Sequence, residues 1–83
     1  MLREYTTSPM VTLYSKNNCH GCDATKRKLN DQGIQYIEKN VDHDEKARDK
    51  VIALGFMQMP VVVTDKDTWF GYRPDKIEAL SIV

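Results

Sequence analysis

The feature that most constrains this chain is the segment Cys19-His20-Gly21-Cys22, which holds both of its cysteines. With two residues between them, the first cysteine can lie at the mouth of a helix and the second one turn inside it. The upstream run Val11-Thr12-Leu13-Tyr14 is an alternating β-type run, and the residues after Cys22 favour a helix. Two sulfurs placed in this way can cycle between dithiol and disulfide with little backbone movement. The segment therefore predicts a redox-active pair.

Length and charge exclude several other classes of protein. A chain of 83 residues has room for one domain with a modest core. Lys plus Arg and Asp plus Glu are equal at 12 each, so no basic surplus favours nucleic acid and no acidic tract predicts a tail. The first eight residues contain no apolar stretch typical of a signal peptide, and no long apolar run predicts a membrane span. We therefore expect a cytoplasmic protein, and in that reducing setting a lone cysteine pair is more often catalytic or metal-binding than structural.

The N-terminal half of the chain predicts a strand, a helix and a second strand. Residues 1–9 are interpreted as a short extension and residues 10–83 as the domain, with Met10 a possible alternative start. The first helix is expected from Gly21 to Gln32, and Gly33 is suited to the left-handed conformation that ends a helix. Its core-facing stripe consists of Thr25, Leu29 and Gln32. Residues 34–41 predict the second strand, with Tyr36 and Ile37 at its centre.

The C-terminal half predicts a helix, a hairpin and a last helix. Asp42 and Glu45 fit a capping box, and the second helix then follows to Gly55. Its core positions are expected at Ala47, Val51 and Leu54. Pro60 stands just ahead of a buried Val61–Val63 strand, and a loop at 65–67 leads to a strand at 68–70 that Gly71 ends. The last helix is expected to begin at Pro74 and Asp75 and to turn three apolar residues to the core: Ile77, Leu80 and Ile82.

The resulting order is β1-α1-β2-α2-β3-β4-α3. A right-handed βαβ crossover followed by an antiparallel hairpin gives an α/β fold, with a four-stranded mixed sheet and helices on both of its faces.

The chemistry expected of the pair is thiol–disulfide exchange, which needs an exposed thiolate and a second thiol to resolve the mixed disulfide. Cys19, at the helix mouth, would receive unpaired amide N–H groups and the positive end of the helix dipole, which lower a thiol pKa. Cys22, one turn inside, is the predicted resolving cysteine. The alternative is a structural disulfide, but so small a loop stabilises a fold little.

Two histidines leave further alternatives open. His20, between the cysteines, either favours the thiolate as an imidazolium or is a solvated residue on the partner-facing surface. His20 and His43 could also join the cysteines as zinc ligands. A structural zinc needs four well-spread donors, and His20 lies inside the cysteine turn, so we expect no metal.

With these residues in place, the chain resembles the glutaredoxin-like NrdH-redoxins of the thioredoxin fold. The matching segments, over residues 10 to about 80, are Tyr14, Cys19-x-x-Cys22 with Ala24-Thr25-Lys26-Arg27, Asn40-Val41-Asp42, Gly55-Phe56, Gln58-Met59-Pro60-Val61-Val62 and Trp69-x-Gly71-Tyr72-Arg73-Pro74-Asp75. The resemblance implies a monomeric dithiol carrier, without a cofactor, that donates electrons to a class Ib ribonucleotide reductase. It also implies re-reduction by thioredoxin reductase. His20-Gly21 departs from the family's usual middle dipeptide, which affects the expected redox potential and not the chemistry.

The resemblance also implies a partner-binding surface around the cysteines. It includes a cis Met59–Pro60 bond whose preceding backbone pairs with an extended partner segment. The residues assigned to this surface are His20, Gly21, Met59, Pro60, Trp69, Gly71, Tyr72 and Arg73. Two alternatives stay open: Trp69 in the core or at the rim of the sheet, and Pro60 as an ordinary trans proline that opens a strand.

Two alternative functions follow from the same residues. Lys16 occupies the place where glutaredoxins hold the glutathione carboxylate, so a glutathione-dependent glutaredoxin is one alternative, and Lys16 is also a candidate for tuning the redox pair. However, the Gly-Gly of the glutaredoxin clamp is replaced here by Gly71-Tyr72. The other alternative is a non-catalytic interaction module of the same fold.

Overall fold

The computed structural model describes residues 11–80, and these residues form four strands and three helices in the predicted order. The elements are β1 (Thr12–Ser15), α1 (His20–Asp31), β2 (Ile37–Asn40), α2 (Glu45–Ala53), β3 (Val61–Val63), β4 (Thr68–Phe70) and α3 (Pro74–Leu80). The predicted extension at 1–9, the strand start at Met10 and the core position of Ile82 lie outside the described residues.

The strands form one mixed sheet in the order β2-β1-β3-β4. β1 runs parallel to β2, with Thr12 opposite Ile37, which is the pairing that a βαβ crossover produces. β3 is antiparallel to both of its neighbours, and Val62 lies opposite Leu13 on one side and opposite Trp69 on the other. The mixed four-stranded sheet predicted from the sequence is confirmed.

Alternation along the central strands places two separate cores on the two faces of the sheet. On the face covered by α1 and α3, here called the α1/α3 face, the buried cluster is Val11, Leu13, Leu29, Val62, Trp69 and Ile77. On the face covered by α2, here called the α2 face, the buried cluster is Tyr14, Val41, Ala47, Val51 and Val61. Helices therefore lie on both faces, as expected.

The first helix forms close to its predicted bounds. Cys22, Thr25 and Leu29 are its buried residues, and the Thr25 hydroxyl donates to the Gly21 carbonyl at 2.8 Å, so this buried polar group has a partner. The helix ends at Asp31 with Gln32 as its C-cap, and Gly33 follows with a φ of +71°, the left-handed conformation that glycine adopts without a steric penalty.

The predicted start of the second helix is wrong by two residues. Asp44 is the N-cap of α2, and its carboxylate accepts from the Ala47 amide at 3.1 Å. The Asp42 carboxylate instead accepts from the Asn17 amide at 2.9 Å, because it belongs to the loop beside the first strand. Leu54 is exposed rather than core, since α2 ends at Ala53 and Leu54 lies at the C-cap.

The second strand is shorter than predicted. Only residues 37–40 pair, and Ile37 is exposed because β2 is an edge strand. Ile34 and Tyr36, expected in the strand, precede it and pack against the α1/α3 core instead.

Within the described residues, none of the helices is long and apolar enough to cross a bilayer.

Candidate redox site

The two cysteines lie together at the beginning of α1 and are joined as a disulfide, with 5.2 Å between their Cα atoms. Cys19 is the N-cap residue, and its extended backbone (φ −124°, ψ 104°) connects the loop after β1 to the helix. The residue Cys19 is 9% exposed and Cys22 is 1% exposed. An incoming sulfur can therefore reach Cys19 more readily than Cys22, although Cys19 is less exposed than the sequence predicted.

The electrostatic surroundings of Cys19 favour a negative charge on its sulfur. The Cys22 amide donates to the Cys19 Sγ at 3.1 Å, as an amide in the first helical turn donates to a capping group. The twelve-residue α1 also directs the positive end of its dipole at this position. Both effects stabilise a thiolate relative to a thiol once the disulfide is reduced.

Pro60 forms one wall of the site. The Met59–Pro60 peptide bond is cis, as predicted, and Pro60 is buried. A Cβ added at Gly21 would lie 3.2 Å from the Pro60 Cδ, so the first turn of α1 approaches the proline ring closely. Glycine is the residue that permits this approach, which places Gly21, Pro60 and the disulfide side by side.

The turn after β4 is connected to the same wall. The Gly71 amide donates to the Pro60 carbonyl at 2.8 Å, and Gly71 has a φ of +85°. Tyr72 follows as an exposed side chain. The Arg73 guanidinium is held in a two-pronged pair with Asp75, Nε to Oδ1 at 3.2 Å and Nη2 to Oδ2 at 3.0 Å. This pairing raises the pKa of Arg73 and lowers the pKa of Asp75.

Trp69, for which the sequence left both a core position and a place on the partner-binding surface open, lies in the core. Its side chain lies in the α1/α3 core, the residue is 5% exposed, and the Lys76 ammonium lies 5.6 Å from its ring centroid. The alternation of β4 explains this, since Trp69 points inward while its neighbour Phe70 is exposed. This agrees with the core alternative, and a contribution of Trp69 to partner binding stays a prediction.

The two residues proposed to tune the pair lie on either side of Cys19. His20 is the first residue of α1 and is exposed, and Lys16 is exposed on the loop that follows β1. Met59 is half-buried, directly before Pro60. His20 therefore directly follows Cys19 in the first turn of α1, while Lys16 and Met59 line a common groove on the α2 face.

The loop before Cys19 is held by hydrogen bonds to residues 40–42, which the sequence analysis did not predict. The Asn17 side-chain oxygen accepts from the Asn40 amide at 3.1 Å, while Asp42 accepts from the Asn17 backbone. Asn40 in turn accepts from the Asp42 amide at 2.8 Å. Asn18 then adopts a φ of +55°, a conformation that Asn tolerates better than most residues. The two consecutive asparagines at 17 and 18 and the Asn-x-Asp of residues 40–42 are the sequence features that could have predicted these hydrogen bonds.

A metal site is not formed by the residues that the structure describes. Between Val11 and Leu80, no three His, Cys, Asp or Glu side chains are close enough together to hold a metal ion. The expectation that the protein needs no metal stays a prediction.

Comparison with known proteins gives a consistent result. The Glutaredoxin family matches residues 11–69. The chain is 43% identical over 70 residues to the glutaredoxin-like protein NrdH of Salmonella typhimurium, covering 84% of this chain and 86% of that protein. It is 39% identical over 72 residues to NrdH of Lactococcus lactis, covering 87% of this chain and all of that one.

A solved structure agrees with these sequence matches. The fold superposes on the Escherichia coli NrdH-redoxin with a TM-score of 0.83 at 38% identity, covering 88% of this chain and 96% of that one. That protein is described as glutaredoxin-like with a thioredoxin-like activity profile. The predicted thioredoxin fold is thereby confirmed.

Proposed function

The chain belongs to the NrdH group of glutaredoxin-like proteins, and we propose that it is a dithiol carrier that donates electrons to a class Ib ribonucleotide reductase. In this proposal, thioredoxin reductase restores the dithiol at the expense of NADPH. The Cys19–Cys22 pair is the whole redox centre, so the protein uses no bound cofactor or metal. It acts as a monomer in the cytoplasm.

The observation that carries the proposal is the Cys22 amide directed at the Cys19 sulfur from 3.1 Å, at the beginning of a helix. This arrangement stabilises a thiolate at Cys19 relative to the thiol once the disulfide is reduced, and the thiolate is the species that attacks a disulfide. Attack on the partner forms a mixed disulfide between Cys19 and one partner sulfur. The other partner sulfur leaves as a thiolate and takes up a proton.

Cys22 then completes the exchange. Its thiol loses a proton and attacks the Cys19 sulfur, which forms the Cys19–Cys22 disulfide and releases the second partner thiolate. Two electrons have passed to the partner, and the carrier is oxidised. Thioredoxin reductase reverses both steps through its own thiols. The E. coli relative, with its thioredoxin-like activity profile, supports this choice of reductase.

Three features of the turn after β4 argue against glutathione as the reductant. Tyr72 stands where a small residue would leave room for the tripeptide. The Arg73 guanidinium is already paired with Asp75 in two hydrogen bonds. Pro74 lacks the backbone N–H that would hold a carboxylate. A tripeptide anion needs converging donors, and this turn offers few.

A glutathione-dependent glutaredoxin is the second candidate, and one observation favours it. Lys16 and Arg48 line the same groove on the α2 face, so two cations are available to a carboxylate there. A direct test compares the two sources of electrons.

The test supplies the protein with NADPH and thioredoxin reductase, or with NADPH, glutathione reductase and millimolar glutathione. A class Ib ribonucleotide reductase serves as the acceptor. We expect rapid turnover with the first pair and little with the second. Equal or faster turnover with glutathione would assign the protein to the glutathione-dependent glutaredoxins. A lack of turnover with both pairs, while a small disulfide is still reduced, would contradict the choice of acceptor.

A further inference from the structure

A groove with a volume of about 230 Å³ lies on the α2 face. It runs between α2, the loop that precedes β3 and the loop that follows β1. Its apolar lining consists of Val41, Val51, Ile52, Phe56, Met57 and Met59, and its charged lining consists of Lys16 and Arg48. We refer to these eight residues as the α2 groove.

The groove leaves apolar surface exposed that folding alone does not require. Ile52 is 57% exposed and Met57 is 88% exposed, although both are large apolar residues. A second depression of similar volume, about 230 Å³, shares Phe56 and Met57 with the groove and continues to Phe70 at the sheet edge. The rings of Phe56 and Phe70 are 5.7 Å apart, so the apolar surface is continuous. A continuous exposed apolar surface is typical of an interaction site.

The charges of the groove have a single sign. Both charged residues that line it are cations, and neither forms an ion pair with another residue in the 11–80 range. On the opposite face, Lys28 is paired with Glu78 at 2.9 Å and Lys76 with Asp67 at 2.7 Å. The cations of the α2 groove are therefore available to an anionic partner.

The groove begins beside the redox pair. Met59 lines it and directly precedes Pro60, whose Cδ would lie 3.2 Å from a Cβ added at Gly21 in the first turn of α1. The Met59 N–H and C=O make no backbone hydrogen bond to any residue from 11 to 80, so an extended segment can pair with them. A partner segment whose cysteine reaches Cys19 would then place its neighbouring side chains in the groove.

We propose that the α2 groove binds an extended segment of the partner protein in which a large apolar side chain stands next to carboxylates. The apolar side chain packs against Ile52, Phe56 and Met57, and the carboxylates lie near Lys16 and Arg48. This inference rests on the proposed function, since it assumes a protein disulfide as substrate, and it specifies the sequence chemistry that the site selects. Glutathione supplies carboxylates but no large apolar side chain, so it can interact with Lys16 and Arg48 and leaves the apolar lining of the groove uncovered.

The experiment uses chemically reduced protein and synthetic peptides that carry one intramolecular disulfide. The first peptide has a leucine and two glutamates beside its cysteines, the second has the leucine and two glutamines, and the third has a serine and the two glutamates. Rapid-quench measurement of peptide thiols gives the second-order rate constant for each peptide. We expect the first peptide to react about fivefold faster than either of the others. Two exposed charge contacts, or the burial of one apolar side chain, stabilise binding by enough to account for a difference of this size.

Two variants and a matched control test the residues. Arg48→Glu should remove most of the preference for the glutamate peptide over the glutamine peptide, and Ile52→Ser should remove most of the preference for leucine. Lys50→Glu makes the same charge change on the same helix but outside the groove, and should alter each rate by less than about twofold. Hydroxyethyl disulfide, which is neutral and small, should be reduced at the same rate by all four proteins.

Three outcomes would overturn the proposal. The first is equal rates for the three peptides, and the second is equal effects of Arg48→Glu and Lys50→Glu on the rate constant for the first peptide. The third is that Arg48→Glu lowers the rate constant for glutathione disulfide as much as it lowers the rate constant for the first peptide. The last would make the groove a small-anion site. Neither reductase enters this experiment, so a failure of the proposed electron donors leaves the result unchanged and the two proposals fail separately.

Discussion

The two faces of the sheet differ in how completely their apolar residues are covered. On the α1/α3 face, two helices lie over the sheet, and every member of the cluster from Val11 to Ile77 is buried. On the α2 face, one nine-residue helix covers the cluster around Val51, and Ile52 and Met57 remain in solvent. Cys19 and Cys22 lie at the beginning of α1, and Met59, directly before Pro60, lines the groove on the less covered face.

Because the two faces differ in how fully they are covered, we expect the α1/α3 face to contribute mainly to stability and the α2 face mainly to partner recognition. The closely covered face holds six buried apolar residues against five on the other face, and the Lys28–Glu78 ion pair also joins α1 to α3 on that side. The other face retains exposed apolar surface, and its groove is lined by two cations that form no ion pair with any residue from 11 to 80. Substitutions on the first face should therefore act mainly on the free energy of unfolding, and substitutions on the second mainly on partner binding.

The largest expected effect is at the cysteines. Cys19→Ser should abolish disulfide reduction, because the remaining thiol of Cys22 is only 1% exposed and a partner disulfide cannot reach it. Cys22→Ser should retain the nucleophile and accumulate a mixed disulfide with the partner, because nothing resolves it. Non-reducing electrophoresis after mixing each reduced variant with a protein disulfide distinguishes the two. A trapped complex with Cys19→Ser and none with Cys22→Ser would reverse the assigned roles.

The next effect compares the two faces directly. Leu29→Ala, in the α1/α3 core, should lower the free energy of unfolding by about 2–5 kcal/mol, since it removes a fully buried side chain. Ile52→Ala, on the exposed side of α2, should change it by less than about 0.5 kcal/mol. Urea denaturation of the oxidised proteins measures both. Similar losses for the two variants would contradict the distinction between the faces.

A smaller effect is expected where the helix meets Pro60. In Gly21→Ala the new Cβ would lie 3.2 Å from the Pro60 Cδ, so the first turn of α1 must shift relative to the site. Alanine also favours the helix by about 0.5–1 kcal/mol. We expect kcat/KM for a protein disulfide to fall while the free energy of unfolding changes little.

Gly33→Ala is the matched control for this substitution. It introduces the same methyl group at the other end of α1, at a φ of +71° and far from the cysteines. It should lower the free energy of unfolding by about 1 kcal/mol and leave kcat/KM unchanged. If Gly33→Ala lowered kcat/KM as much as Gly21→Ala, contact with Pro60 would not be the cause.

The smallest effect is a dependence of stability on pH. The hydrogen bond from Lys76 lowers the pKa of Asp67, and the bonds from Arg73 lower the pKa of Asp75. A carboxyl with a lower pKa in the folded state stabilises the fold above its unfolded pKa, near 4, and that contribution is lost as the pH falls. Both carboxylates are exposed, so the contribution is small.

The double variant Asp67→Asn, Asp75→Asn tests this dependence. Its free energy of unfolding should fall less than that of the wild type between neutral pH and about pH 3. Equal falls for the two proteins would show that these pairs do not stabilise α3.

The sequence predicted the site better than the periphery of the fold. The Cys19–Cys22 spacing, the glycines that end α1 and α2, and the Pro60 ahead of three valines are local signals, and each constrains the backbone by itself. The α2 cap was misassigned because Asp42 and Asp44 both suit a cap, and only the contact between Asp42 and the distant Asn17 amide decides between them. Tertiary contacts of this kind are not encoded in a local pattern.

Burial was the other property that local patterns could not provide. Trp69 and Phe70 are adjacent aromatic residues, and only the pairing of β4 with β3 determines which of them enters the core. Similarly, the exposure of Ile52 and Leu54 depends on where α2 ends and on how much of the sheet it covers. Arg48 gained its significance from the groove that it lines, and not from its neighbours in the chain.

The most direct test of the account is to locate a trapped partner on the surface. Cys22→Ser can be joined through Cys19 to a class Ib ribonucleotide reductase, and amide hydrogen exchange of the complex compared with that of the free protein. We expect additional protection in the segment from Arg48 to Met59, which contains six of the eight residues of the α2 groove, and no change between Lys28 and Gly33 or across α3. Protection on the α1/α3 face, with none between Arg48 and Met59, would contradict the account.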